Sequence, residues 1–125
     1  MSAGRIVTFL LATAVLSLPA MAQDRVRLDD LDADRLNPRQ IKIEFEYDGG
    51  ACEQVEEARL GDIVDGTLSV TFPTSSTAEV CTMQLVEIEV KEAVPADTSV
   101  TRVEVTLLAP DGSVLATDST RVDRD

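Results

Sequence analysis

Cysteines, clustered carboxylates and two adjacent serines are the residues of this chain whose types and spacing could carry chemistry. Cys52 and Cys81 are its only cysteines. A catalytic redox pair usually sits close together as Cys-x-x-Cys, and a zinc site would need His or further Cys, neither of which the chain supplies. Two cysteines allow one intramolecular pairing. The expectation is therefore a structural disulfide, Cys52 to Cys81, closing a loop of about 30 residues and stabilising the fold by roughly 3–4 kcal/mol in the chain-entropy model.

Among the acids, Asp30-Leu31-Asp32-Ala33-Asp34 has the alternating spacing of a calcium loop. An EF-hand loop then needs Gly at its sixth position and a bidentate Glu at its twelfth, and those positions hold Arg35 and Ile41. The pattern fails where the geometry is most demanding, so the stretch reads as a solvated acidic segment. Asp48, Asp62 and Asp65 are further loop carboxylates, and surface calcium held by such groups is the alternative to a purely solvated role. Glu44 with Glu46, and Glu87 with Glu89, are spaced to share an exposed strand face, where water keeps both acids ionised; glycoside hydrolysis needs one of its two acids buried. Ser75 and Ser76 lack an adjacent base, because the chain has no His. Copper handling is excluded on the same count. The sequence thus predicts no catalytic residue, no metal site and no cofactor.

Positioning these residues falls to a chain of 125 residues, enough for one modest domain. Arg5, the uncharged run Ile6 to Leu18, Pro19 and the triplet Ala20-Met21-Ala22 have the order of a secretory signal cleaved after Ala22. As a helix the uncharged run would span about 20 Å, short of the roughly 30 Å hydrocarbon core, so no membrane anchor is expected after cleavage. The formal charge is −12, and cleavage removes Arg5 and no acid. Such a surface repels phosphate and disfavours nucleic acid, while favouring a basic protein partner. The signal, together with the absence of any Asn-x-Ser/Thr sequon, points to a bacterial protein in the periplasm or outside the cell.

Residues 23–40 mix acids with arginines and read as a charged N-terminal arm, with a short helix over Arg27 to Leu36 as the alternative. The period changes to two at Ile41. Ile41, Ile43, Phe45 and Tyr47 fall on one face of a strand that ends at Asp48-Gly49-Gly50. Cys52 to Ala58 begins either a helix closed at Gly61 or a strand. Ile63 to Phe72 reads as a strand with a bulge or tight turn at Asp65-Gly66. Residues 73–79 read as a polar hairpin loop. Val80 to Lys91 reads as a long strand whose apolar face changes near Leu85-Val86, which requires a bulge or a crossing between sheets. Thr101 to Leu107 and Val114 to Thr120 complete the strands, joined by a turn at Pro110-Asp111-Gly112.

Short strands with frequent turn signals predict an all-β, disulfide-pinned β-sandwich over residues 41–122, immunoglobulin-like in the broad sense, with a charged tail at 123–125. No Trp lies between the cysteines, so the antibody type is excluded. The functional expectation is an exported, non-enzymatic module that binds another macromolecule. Its candidate interaction loops are Asp48-Gly49-Gly50-Ala51, Pro73-Thr74-Ser75-Ser76-Thr77-Ala78-Glu79 and Ala93-Val94-Pro95-Ala96-Asp97-Thr98. The competing readings are an inhibitor of an exported hydrolase, a subunit assembling through strand edges, and a calcium-dependent adhesive module.

Overall fold

The computed structural model describes residues 24–124; the export segment and its cleavage point lie outside them. Alternation of apolar and polar side chains dominates the chain, and the described residues form nine strands and no helix: β1 (Asp29–Asn37), β2 (Gln40–Gly50), β3 (Glu53–Val55), β4 (Arg59–Val64), β5 (Thr67–Phe72), β6 (Thr74–Ser76), β7 (Leu85–Pro95), β8 (Arg102–Leu108) and β9 (Val114–Asp123). Seven of them make one sheet in the order β4-β5-β8-β9-β1-β2-β7, and β3 pairs with β6 beside it. Two neighbour pairs are parallel, β5 with β8 and β1 with β9.

Period-two patterning builds the core. Ile41, Ile43, Phe45 and Tyr47 of β2 are buried, as are Leu68, Val70 and Phe72 of β5 and Val103, Val105 and Leu107 of β8. Three strands separate β2 from β5 in the sheet order, yet the rings of Phe45 and Phe72 meet edge to face with centroids 5.2 Å apart. The sheet is therefore curled, and its inner face packs on itself. Two pairs, Ala33↔Val122 and Asp34↔Asp123, join its halves through β1 and β9.

Turn chemistry follows the residues. Asp65 and Gly66 both have positive φ, at 51° and 80°, and link Val64 to its partner Thr67 as a two-residue hairpin turn of the mirror-image type. At the other hairpin the Gly112 N–H donates to the Ala109 carbonyl, and Gly112 takes φ 88°.

Several expectations are corrected. Residues 29–37 are neither a solvated arm nor a helix: β1 lies inside the sheet between β9 and β2, with Ala33 fully buried. Arg35 holds it to the next layer of chain, donating to the carbonyls of Ala96 and Asp97 at 2.8 Å and of Val100 at 3.0 Å. The helix alternative at Cys52 to Ala58 is replaced by β3, because Glu53 to Val55 find strand partners in Thr74 to Ser76. Residues 73–79 are no hairpin loop, since β5 and β7 lie far apart in the sheet order. The expected bulge near Leu85-Val86 is absent. Strand β7 begins at Leu85 and pairs with β2 without interruption from Gly50↔Leu85 to Gln40↔Pro95, so the change of face is the start of the strand. At the C-terminus β9 runs to Asp123, beyond the expected boundary of the tail.

Candidate functional site

Local pairing decides what the chain presents around its disulfide. Cys52 lies just before β3 and is bonded to Cys81, with Cα atoms 6.0 Å apart. Thr77 donates its N–H to the Cys52 carbonyl, and Ala51 donates to the Gln84 carbonyl. The segment from Thr77 to Gln84 is thus held at both ends and pinned at Cys81. Its apolar side chains stand in solvent, Met83 96% exposed and Val80 89%, and Leu85, where β7 begins, is 69% exposed. Large apolar groups held in solvent by a constrained segment offer area that a partner can cover.

The predicted loops are distributed differently from expectation. Asp48, Gly49 and Gly50 belong to the end of β2, and only Ala51 lies in a turn. Gly49 is buried where a Cβ would meet Ile88 Cδ1 at 2.5 Å and the Tyr47 ring at 2.8 Å. Within 73–79, Thr74, Ser75 and Ser76 form β6, and the buried Thr74 hydroxyl donates to the Leu108 carbonyl. Thr77, Ala78 and Glu79 are exposed, whereas Pro73 is half-buried. Ala93, Val94 and Pro95 close β7; Val94 and Ala96 are buried, while Ala93, Pro95, Asp97 and Thr98 are exposed. The expected strand from Val80 begins only at Leu85, since Val80 to Gln84 take no strand partner although Cys81, Met83 and Leu85 alternate as a strand face would.

Strand pairing also gathers the acids. Asp32 and Asp34 lie with Asp123, their carboxylate oxygens within 4.8 Å of one another, because β1 and β9 run side by side. Partial desolvation and the neighbouring Asp32 raise the Asp34 carboxyl above its ordinary value, against the opposing pull of Lys42. Each of the three acids offers one oxygen to the cluster, and exposed acids commonly gather in this way without an ion. On the outer face of β2 and β7, Glu46 stands opposite Glu89, and Asp48 opposite Glu87. Like charges directly opposite each other repel, and Glu87 is the main cause of a raised Glu46 carboxyl. Lys42 offsets part of this field through an ion pair with Glu44 at 2.8 Å.

Several titratable side chains tie one part of the chain to another. The buried Tyr47 hydroxyl donates to Glu53 Oε2, and burial pushes the phenol well above its ordinary range. Glu92 accepts the Ala58 N–H at 3.0 Å, drawing the chain before β4 toward β7. Asp97 and Asp111 each accept from the N–H and hydroxyl two residues on, at Ser99 and Ser113, which lowers both carboxyls. A surface concavity of about 650 Å³ is lined by Asn37, Pro38, Arg39, Gln40 and Pro95, residues that offer no nucleophile beside a base. No family model, no curated protein and no solved structure matches the chain.

Proposed function

We propose that this chain is an exported, non-enzymatic module that binds another protein, in the periplasm or outside the cell, after removal of residues 1–22. The curled sheet is read as a β-sandwich, immunoglobulin-like in the broad sense, that serves as a rigid frame for its contact segment. One observation carries the reading: Val80, Met83 and Leu85 stand exposed on a segment fixed by the Cys52–Cys81 bond and by backbone bonds at its ends. Such a segment has little conformational freedom left to lose on association, so its apolar area converts efficiently into affinity. The charge of −12 favours a basic partner and speeds encounter at low salt. The disulfide accords with an oxidising compartment.

Site-specific cross-linking tests it in the producing cell. A photoreactive side chain at Met83 should give a discrete protein adduct, while the same group at exposed Asp118 on β9 gives none. Equal labelling at both positions, or none at either, would count against the reading.

A further inference from the structure

Backbone bonds just beyond both ends of the β2–β7 ladder set its phase. The Ala51 N–H donates to the Gln84 carbonyl, and the Ala96 N–H donates to the Arg39 carbonyl. Both pairs continue the register Gly50↔Leu85 to Gln40↔Pro95. In an antiparallel ladder, residues that exchange bonds recur every second position. Even-numbered residues of β7 therefore turn their N–H and C=O groups to β2, and odd-numbered ones turn them away. Pro95 fits this phase, since its missing N–H would have faced outward.

Outward there is no strand. β7 ends the sheet order and pairs with β2 alone among the described residues. Between Leu85 and Lys91 the backbone groups of Leu85, Glu87, Glu89 and Lys91 form an open ladder, long enough for an ordinary strand. The opposite edge, β4, is interrupted by a register shift between Leu60 and Ile63.

We propose that the open edge of β7 takes up an extended segment of a partner protein in which basic residues alternate with apolar ones. The inference rests on the protein-binding reading and names the partner's chemistry. Backbone pairing would supply attachment, and the two faces of the sheet specify the sequence. On the outer face the incoming side chains meet Glu87 and Glu89, crowded by Asp48 and Glu46 and offset in part by Lys91, 3.9 Å from Glu89, so Lys or Arg near Glu87 and Glu89 relieves repulsion. On the inner face they lie beside Val86 and Ile88, which are only half-buried. A second copy of this chain is the poorer occupant, because each copy brings the same excess of acids and the same glutamates.

The test titrates the disulfide-bonded protein with a short peptide alternating Lys and Val, against an alternating Glu and Val peptide, with residue-by-residue amide exchange as the readout. The Lys peptide should slow exchange at Glu87, Glu89 and Lys91, and the Glu peptide should leave it unchanged. Joint reversal with Glu87→Lys and Glu89→Lys should weaken binding about tenfold. Glu89→Pro removes an outward N–H without breaking a bond to β2; it should abolish binding while the amides of Ile88 and Val90 stay protected. Changes confined to Thr77–Leu85 would overturn the edge proposal and leave the protein-binding reading intact. No change anywhere with the Lys peptide would overturn the edge proposal, while cross-linking at Met83 decides the broader reading independently. Protection of the edge on dilution-sensitive dimer formation, without peptide, would overturn it in favour of a second copy.

Discussion

Replacing Phe45 and Phe72 with Leu, singly and together, measures whether the sheet closes on itself. Both rings are buried and meet edge to face at 5.2 Å, although their strands share no hydrogen bonds. Leu keeps most of the apolar volume, so each single change should destabilise by about 1–1.5 kcal/mol, against a total of roughly 5–15 kcal/mol for a domain of this size. The ring–ring contact adds about 0.5–1.5 kcal/mol beyond area, and either single change already removes it. The double variant should consequently lose about 1 kcal/mol less than the sum of the singles. Urea unfolding of the four proteins, followed by far-ultraviolet circular dichroism, gives the cycle directly. Additivity within about 0.3 kcal/mol would refute the contact and, with it, the curl that brings β2 against β5.

Other expectations follow from particular residues. Gly66→Ala should destabilise by about 1–2 kcal/mol in the same urea assay, because φ is positive and the new Cβ would meet Thr101 Oγ1 at 3.0 Å and the Ser99 carbonyl at 3.2 Å. Reducing the disulfide should lower stability by roughly 3–4 kcal/mol and speed proteolysis between Thr77 and Leu85. Asp34→Asn should raise stability at neutral pH by about 0.5 kcal/mol, since it removes one charge from the trio with Asp32 and Asp123. Stability should rise on mild acidification and then fall. Asp34 and Glu46 have folded values above their ordinary ones, so their repulsion is relieved as pH drops through those raised values. Glu44, Asp97 and Asp111 are held below their ordinary values, and their contribution is lost as pH falls further, through those lowered values. A pH series of thermal melts checks the order of the two limbs; a monotonic fall from neutrality would contradict it.

Legibility in the sequence tracked how much of each strand is buried. Strands β2, β5 and β8 show apolar alternation because every second side chain enters the core, and Asp65-Gly66 and Pro110-Asp111-Gly112 announce the two turns whose glycines take positive φ. Strand β1 buries Ala33 and half-buries Leu31, so its composition resembles solvated chain; pairing with β2 and β9 on both sides makes it a strand. β4 has no buried residue, and pairing with β5 makes it a strand. The cysteine pairing was readable from the count alone. The exposed segment was not, because Cys81, Met83 and Leu85 carry the period of a strand face while Cys81 is tied to Cys52. The meeting of Asp34 with Asp123 depends on which strands lie side by side, and no local pattern encodes that.

Strand addition at β7 requires that its outward-facing backbone groups be free, and amide hydrogen exchange along Leu85 to Val94 in the unliganded, disulfide-bonded protein tests this most directly. Alternation is the predicted result: slow exchange at Val86, Ile88 and Val90, which face β2, and fast exchange at Glu87, Glu89 and Lys91, which face outward. Uniformly slow exchange across both sets would show the edge already covered and contradict the proposal.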